Sequence, residues 1–451
     1  MRDDAIMATG RADYPNMVNN VLGFPYIFRG ALDVQATTIN DAMKIAAAEA
    51  IAALAREDVP DEVAAAYAGT RLQYGPHYIL PKPFDRRLIS RVPPAIARAA
   101  IESGVARRPI VDMDAYRAEL SARLDPSASS LHVVFERVRA NPRRVVFAEG
   151  EEEKVIRAAA QWRSNGYGEP VLVGDPERIV GVMAALGLGE AAPFEIRNPR
   201  TAEGTERYVE HVYRRLQRKG PLLRDCRRWV RLDRNVFGAC MVAMGEADAM
   251  VTGLTRSYWS SLEKIERVLD PKPGHRLFGM TILLARDRQV FIADTTVNET
   301  PSAEALADIA VQAAAKARSL GHEPRVALLS FSTFGYPEHD KVARVREAVR
   351  VLDARKVDFE YDGEMAADVA LDPELHGLFP FCRLSGPANV LIMPGLHSAH
   401  ISSKLAQSLG GCIVIGPLLM GLERPVQIVP LGAAVSDVLN LAAFAAAEVD
   451  R

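Results

Sequence analysis

Two polar loops in the sequence carry residues that could bind an anionic ligand. Residues 330–336 (SFSTFGY) follow an apolar run, and their three small hydroxyls and one glycine could cradle a phosphate or a thioester carbonyl. A plain strand-to-helix loop that uses serine and threonine as caps would have the same composition. Residues 395–400 follow another apolar run and precede a helix predicted over 401–409, with Ser398 at its N-cap. Both patterns are compatible with a site, but neither names its ligand.

Three other polar patterns favour structural explanations. His397 and His400 are three residues apart, but no neighbouring cysteine or carboxylate completes a metal-ligand set, so we expect no metal there. Residues 207–234 hold ten basic side chains against three acidic ones, which favours a solvated or subunit-facing helix over a nucleic-acid surface. Residues 149–153 (EGEEE) are predicted to begin a helix, where carboxylates meet the helix dipole favourably.

The elements that must position these loops alternate regularly between strand and helix. Strands are predicted at residues 144–148, 171–173, 249–252, 325–329, 389–393 and 412–415, with Gly416-Pro417 turning the chain after the last of them. This alternation is typical of an α/β fold with parallel sheets, whose ligands bind at the carboxyl edge. Nearer the start, residues 4–9 read as a buried strand, and Thr38 with Asp41 resembles a capping box before a long helix.

Bulk composition predicts a soluble globular protein of two to four domains. The chain has 451 residues, of which 49% are hydrophobic and 25% charged, and its formal charge of −2 gives no general attraction to nucleic acid or membranes. Its four cysteines are far apart in sequence, as expected of a reduced, cytoplasmic protein. No apolar run is long enough to cross a membrane, and the first residues do not form a signal peptide.

The amino-acid sequences of four segments resemble those of the phosphate acetyltransferase family. They are residues 145–159, 247–253, 324–335 and 383–425, and the resemblance covers about 131–451. It implies two α/β lobes around a cleft, lobe I formed by 131–275 and 418–451 and lobe II by 276–417. It also implies an acetyl-CoA cleft lined by Ser330, Ser332, Thr333, Gly335, Asn389, Ser398, Lys404, Gly416 and Asp437.

The first hundred residues resemble a different family. Residues 8–33 (ATGRADYPNMVNNVLGFPYIFRGALD) are similar to the closing part of the NAD(P)-binding domain of bacterial malic enzymes, which implies a truncated Rossmann-type segment over 1–108. By this resemblance Asn19 and Asn20 would reach the malate carboxylate. The family's catalytic residues, its divalent metal (Mg or Mn) ligands and its NADP turn would lie upstream of Met1. A polar linker is expected over 109–130, before a phosphotransacetylase-like domain over 131–451.

Residues that would carry out acetyl transfer are replaced in this sequence. The family pattern places three arginines and a serine at the cleft, where arginine forks would hold phosphate. Aligning the motifs puts Glu263 and Leu216 at two of the arginines, and Pro430 with Leu431 at the serine and the third arginine. A carboxylate in place of an arginine adds repulsion of several kcal/mol to a phosphate site. No residue of this chain is therefore predicted to be catalytic.

These observations predict the C-terminal portion of a hybrid NADP-dependent malic enzyme. Its phosphotransacetylase-like domain would bind acetyl-CoA as an effector and promote homo-oligomerisation, to a dimer or higher, with no nucleic-acid or membrane partner. NADP and the metal would belong to the full-length enzyme and not to this portion. The first alternative is an active phosphate acetyltransferase that uses Arg215 and Arg256. The second is a structural dimerisation module with an empty cleft.

Overall fold

The computed structural model describes residues 5–11, 15–59, 72–83, 85–124, 127–188, 194–285, 288–409 and 412–449. By its internal packing the chain divides into two compact units, residues 1–132 (the first unit) and 133–451 (the second unit). No helix among the described residues combines the length and the apolar character that crossing a membrane requires.

In its described residues the first unit is helical. It contains a 3₁₀ turn at Asn20–Leu22 and the helices Phe24–Asp33 (α1), Asp41–Arg56 (α2), Leu88–Glu102 (α3) and Met113–Leu124 (α4); Ser127–Ala140 (α5) contains the boundary between the units. Gly30 of α1 lets that helix approach α3 closely, because a Cβ there would lie 2.6 Å from the Pro93 carbonyl oxygen. Apolar side chains from the 3₁₀ turn and from helices α1 to α4 form one core, including Leu22, Ala31, Met43, Leu54, Val92, Ile96 and Leu120.

Three sequence-based expectations for this unit need correction. Residues 5–9 do not form a buried strand: Thr9 makes an isolated bridge to Met17, and Ile6 is exposed, because no neighbouring strand shelters the segment; Asp4 lies outside the described residues. The cap of α2 is Asn40, whose Oδ1 accepts the Met43 N–H at 3.0 Å. Residues 109–130, expected to be a polar linker, are largely helical, and α4 buries Tyr116 and Leu120.

The second unit contains two sheets, the first of them fully parallel. Its strand order is β11-β4-β1-β2-β3, and the strands are Val145–Phe147 (β1), Pro170–Val173 (β2), Glu195–Arg197 (β3), Ala249–Thr252 (β4) and Val426–Ile428 (β11). The helices that accompany this sheet are Glu153–Ser164 (α6), Pro176–Ala185 (α7), Glu206–Leu216 (α8), Leu223–Leu232 (α9), Arg234–Ala243 (α10), Tyr258–Glu266 (α11) and Val435–Ala447 (α17), with a 3₁₀ turn at Gln217–Lys219.

All strands of the second sheet lie between β4 and β11 in the sequence, although β4 and β11 are neighbours in the first sheet. Its order is β10-β5-β6-β9-β7-β8, formed by Phe278–Ala285 (β5), Arg288–Ala293 (β6), Arg325–Leu329 (β7), Glu360–Met365 (β8), Val390–Ile392 (β9) and Ile413–Met420 (β10). Strands β6 to β9 pair in parallel, whereas β5 pairs antiparallel with β6 and β10. Its helices are Ala303–Ser319 (α12), Asp340–Arg355 (α13), Ala367–Leu371 (α14), Pro373–His376 (α15) and Leu396–Leu409 (α16). The α/β fold with parallel sheets is thus confirmed.

Two local expectations in the second sheet are wrong. Gly416-Pro417 does not turn the chain: the pair lies inside β10 as a register shift between Ile415 and Leu418, so the sheet continues to Met420, beyond the lobe boundary expected at 417. Helix α16 begins at Leu396, which places Ser398 in its first turn and not at its N-cap. The apolar residues that predicted this helix, Ile401, Leu405 and Leu409, lie on its exposed side.

Candidate functional site

A cavity of about 760 Å³ opens in the second unit, within the range of about 300–1,000 Å³ that is usual for small-molecule and cofactor sites. Segments that follow β4 and β11 of the first sheet form one side of it. Strands β5 and β10, the loop after β6 and helix α16 of the second sheet form the rest. The cavity therefore lies where the elements of both sheets meet.

The exits of β4 and β11 are held together tightly. Gly253 adopts a φ of 116°, and a Cβ on it would lie 2.4 Å from the Val429 carbonyl oxygen, so only glycine permits this approach. The Val429 N–H donates to the Thr252 carbonyl at 2.7 Å, and the Gly432 N–H donates to the Leu254 carbonyl at 3.1 Å. These bonds bring the segment 430–434 and the start of α11 to the same wall of the cavity.

Five hydroxyl-bearing side chains line the cavity. Ser403 belongs to α16, and we call the other four, Tyr258, Thr281, Thr295 and Thr296, the hydroxyl floor. The loop that carries Thr295 and Thr296 is ordered by the buried carboxylate of Asp294. This carboxylate accepts, at 2.5–3.0 Å, the backbone N–H groups of Gly279, Thr296, Val297 and Asn298. The positions of Thr295 and Thr296 are therefore set by contacts within the protein.

The charged side chains at the cavity are few and mostly acidic. Lys404 is the only lysine or arginine among the lining residues, all of which the structure describes, and its Nζ lies 3.2 Å from the Gln407 side-chain oxygen. Glu299 and Asp437 contribute carboxylates. His397 lies 3.8 Å from Glu299 through its Nε2. No group of three or more metal-ligating side chains occurs in the part of the chain that the structure describes.

Three of the residues expected in the acetyl-CoA cleft line this cavity: Lys404, Gly416 and Asp437. Asp437 also caps α17, because its Oδ2 accepts the Ala434 N–H at 2.9 Å. Gly416 has a φ of 106°, which its position at the irregularity in β10 requires.

The residues expected from the SFSTFGY segment lie after β7 and do not line the cavity. The Ser332 hydroxyl donates to Oε1 of the buried Glu364 at 3.1 Å, and the Gly335 N–H donates to the same oxygen at 2.7 Å. Thr333 accepts the Ala366 N–H at 3.1 Å through its hydroxyl, and the Ser330 hydroxyl accepts the Ser332 N–H at 3.4 Å. These polar groups hold the loop against β8.

The other predicted residues also lie elsewhere. Asn389 stands at the amino end of β9, where its amide bonds the Arg325 N–H and the Glu323 carbonyl, each at 2.8 Å. The Ser398 hydroxyl donates to the Gly395 carbonyl at 2.8 Å. In the first unit, Asn19 caps the 3₁₀ turn by accepting the Val21 N–H at 2.9 Å, and Asn20 is exposed.

The positions that replace the family's three arginines and its serine fall into two groups. Pro430 and Leu431 line the cavity, and Leu431 is 68% exposed. Leu216 is buried in the core of the first sheet, whereas Glu263 forms ion pairs with the neighbouring Lys264 and Arg267. Because Glu263 hydrogen-bonds these two cations, its pKa lies below the ordinary value.

Sequence reasoning missed Tyr258, Trp259, Thr295 and Thr296. For the two threonines the sequence does carry a signal: residues 294–298 (DTTVN) directly follow the apolar strand β6, just as SFST follows β7. Hydroxyls at the carboxyl end of a parallel strand indicate a candidate ligand site after β6 as much as after β7.

Comparison with known proteins identifies the class. Residues 129–446 match the sequence model of a family described as phosphate acetyl/butaryl transferase, so the chain belongs to this family. The phosphate acetyltransferase of Staphylococcus aureus (strain N315) is 33% identical over 71% of this chain and 99% of its own. The crystal structure of a phosphotransacetylase from Streptococcus pyogenes matches 71% of this chain and 98% of its own, at 32% identity and a TM-score of 0.67.

A second set of relatives extends over the whole chain. The NADP-dependent malic enzyme of Rhizobium meliloti (strain 1021) is 58% identical over 99% of this chain, and that of Escherichia coli (strain K12) is 41% identical over 99%. The chain spans only 59% and 60% of the length of these two proteins. The predicted combination, malic-enzyme similarity that includes the first unit and a phosphotransacetylase-like second unit, is confirmed.

Proposed function

We propose that the second unit binds acetyl-CoA without transferring its acetyl group, and that this binding regulates a malic enzyme of which the chain is part. One observation carries the proposal: the cavity has the size of a cofactor site but is lined by Leu431, Glu299 and Asp437 and by no arginine. It can hold the uncharged acetyl and pantetheine part of acetyl-CoA with a few polar contacts. It is poorly suited to holding an inorganic phosphate beside CoA.

Electrostatics decide between binding and transfer. Two like unit charges about 4 Å apart repel by about 4 kcal/mol near a protein surface. A phosphate dianion in this cavity would face the carboxylates of Glu299 and Asp437 with Lys404 as the single lysine or arginine among the lining residues. Leu431 offers no hydrogen bond at a position where the family pattern has an arginine.

The two arginines that an active transferase would use are already engaged. Arg215 forms an ion pair with Asp270 and donates to the backbone carbonyls of Glu266 at 2.7 Å and Leu269 at 2.8 Å. Arg256 donates to Asp233 at 2.7 Å. Neither lines the cavity. These contacts support a site that binds an acyl-CoA and does not turn it over.

In the complete protein we propose oxidative decarboxylation of malate to pyruvate, with NADP and a divalent metal held by the part that precedes this chain. The similarity to malic enzymes over 99% of the chain supports this role. We further propose a homo-oligomer, which the apolar side of α16 supports: Ile401, Leu405 and Leu409 are 55%, 53% and 82% exposed, a surface that a second copy could cover. Sedimentation of the chain with and without acetyl-CoA tests this part.

The regulatory proposal is tested on a full-length enzyme that contains this chain. Malate oxidation is followed at increasing acetyl-CoA, and we expect a saturable inhibition. In Leu431→Glu a third carboxylate joins those of Glu299 and Asp437 in the lining, so the half-maximal concentration of the anionic ligand should rise about tenfold, equivalent to about 1.4 kcal/mol. The control is Leu378→Glu, because Leu378 is 69% exposed, like Leu431 at 68%, but lies off the cavity.

The alternatives predict different outcomes in this assay, in a test for acetyl phosphate and in sedimentation. A rate of malate oxidation that stays unchanged at saturating acetyl-CoA contradicts the regulatory role. Equal responses of Leu431→Glu and Leu378→Glu contradict the assignment of the cavity. Release of acetyl phosphate from acetyl-CoA and phosphate would show an active transferase, and a dimer that is indifferent to acetyl-CoA would favour a structural module.

A further inference from the structure

Helix α16 presents a row of nitrogen-bearing side chains to the cavity. His397, His400 and Lys404 belong to this helix, and all three line the cavity. At 3.6 residues per turn, His400 and Lys404 lie within about 60° of His397 around the helix axis, and the three positions span about 10 Å along it. They therefore share one face of the helix, and we call these three side chains the basic row.

A ligand in the cavity can reach the whole basic row. All three side chains are exposed, His397 to 85%. The Nζ of Lys404 lies 3.2 Å from a neutral partner, the side-chain oxygen of Gln407. The imidazole of His400 makes no hydrogen bond with any residue that the structure describes. The protein itself therefore uses little of the bonding capacity of the row.

Charged and titratable groups of both signs surround the basic row. Tyr258 of α11, Glu299 of the loop after β6 and Asp437 of α17 line the same cavity. Arg344 of α13 donates to the Pro394 carbonyl at 2.9 Å, two residues before α16 begins. The Glu299 carboxylate lies 3.8 Å from Nε2 of His397, so it competes with a ligand for this imidazole when the imidazole is protonated. The other two members of the row form no ion pair with a residue in the described part of the chain.

The row is the part of the lining that can meet a negative charge. Among the lining residues, all of which the structure describes, it contains every lysine, arginine and histidine. Histidine is the side chain that ordinarily gains a positive charge between pH 8 and pH 6, so the row can gain up to two charges in addition to that of Lys404. Because opposite charges attract, a phosphate within the cavity is stabilised most strongly beside this row.

We propose that the basic row binds phosphate groups of a bound acyl-CoA, while the rest of the cavity holds the acyl and pantetheine part. This inference rests on the proposed function, because it takes acyl-CoA as the occupant of the cavity. Binding should become tighter as the pH falls, since protonated imidazoles attract phosphate. The ligand titrates in the opposite sense, because a phosphate monoester, with its second pKa at about 6, loses charge on acidification. A row occupied in this way leaves no cation of the lining for a second, inorganic phosphate.

The test uses this chain in calorimetric titrations with acetyl-CoA at about pH 6.5 and about pH 8, a range in which histidine ordinarily changes charge. In the wild type we expect a dissociation constant about threefold to tenfold lower at the lower pH, the range for two exposed charge pairs. The double variant His397→Gln with His400→Gln keeps polar side chains that stay neutral, so its affinity should be the same at both pH values. S-acetyl-pantetheine, which lacks the phosphates of CoA, should bind more weakly than acetyl-CoA and equally at both pH values.

The control is His275→Gln, because His275 is also exposed but lies off the cavity, and this variant should keep the pH dependence of the wild type. Thermal melts establish that each variant is folded. If the wild type binds acetyl-CoA equally at both pH values, or if the double variant keeps the pH dependence, the assignment of the basic row is overturned while the proposed function stands. If the wild type binds neither acetyl-CoA nor S-acetyl-pantetheine, both the inference and the proposed function are overturned.

Discussion

Glu364 should hold the SFSTFGY loop in place, and Glu364→Gln measures how strongly. The Glu364 side chain is 1% exposed and accepts from Gly335 N at 2.7 Å, Ser332 Oγ at 3.1 Å and Arg346 Nε at 3.1 Å. Glutamine keeps one oxygen for the neutral donors but loses the charge opposite Arg346. Hydrogen bonds to charged groups contribute about 1.5–3 kcal/mol each, and Arg346 is one-third exposed, so we expect a loss of about 2 kcal/mol.

The loss should appear as a lower thermal midpoint. For a unit of more than 250 residues, about 2 kcal/mol corresponds to a decrease of about 4 °C. The matched control is Glu347→Gln on α13, because Glu347 pairs with Arg350 at the surface and is 50% exposed. This control should change the free energy of unfolding by less than about 0.5 kcal/mol. Equal midpoints for Glu364→Gln and the wild type would refute the reasoning.

The effect should also depend on pH in a defined direction. Burial by itself raises the pKa of Glu364, but hydrogen bonds from Arg346, Gly335 and Ser332 outweigh it, so the pKa lies below the ordinary value of 4.5. A lowered folded-state pKa means that the stabilisation is present above about pH 4.5 and is lost as the pH falls through the folded-state value. The gap in the free energy of unfolding between wild type and Glu364→Gln should therefore stay constant down to about pH 4.5 and narrow below that pH. A gap that stays constant below that pH would contradict the assignment.

Two further predictions concern the cavity. Gly279→Ala places a Cβ 1.9 Å from the Thr296 hydroxyl oxygen, so it should destabilise the second unit by about 1–3 kcal/mol and, by displacing a residue of the cavity lining, weaken acetyl-CoA binding. Melting and titration check it against Gly181→Ala, where a Cβ meets nothing within 4 Å. Lys404→Met removes the single lysine or arginine of the lining, so acetyl-CoA should bind about twofold to fivefold more weakly, and the difference should shrink at high salt. Titrations at two ionic strengths measure it, and an effect that does not depend on salt would contradict an electrostatic role.

The elements that could be predicted from the sequence were those with strong local signals. Strands such as β4 and β7 are short apolar runs buried on both faces of a sheet, and residue pattern alone locates them. The face of a helix is harder to predict. Ile401, Leu405 and Leu409 correctly indicated a helix, but the residues that α16 buries are Ala399 and Ser403. The spacing of apolar residues shows which of them share one face of a helix, but it does not show whether that face is buried or exposed.

The candidate site could be predicted only in part, because its residues come together from distant segments. Lys404, Gly416 and Asp437 were named from the family resemblance and do line the cavity, whereas their role in binding acetyl-CoA stays a prediction. Ser332 carried the same chemical signal as Thr296, a hydroxyl after a strand. Tertiary contacts decide between them: the Ser332 hydroxyl pairs with Glu364 away from the cavity, whereas Thr296 lies in the cavity lining. Sequence does not reveal such pairing, since it depends on tertiary contacts.

The central claim is that the cavity binds acetyl-CoA without consuming it. Calorimetric titration of acetyl-CoA into the chain in phosphate buffer tests this claim most directly, with the recovered ligand checked by mass spectrometry. The account predicts a saturating isotherm, a baseline that returns to its starting value after each injection, and unchanged acetyl-CoA at the end. Heat that continues until the ligand is exhausted, with acetyl phosphate among the products, would contradict it.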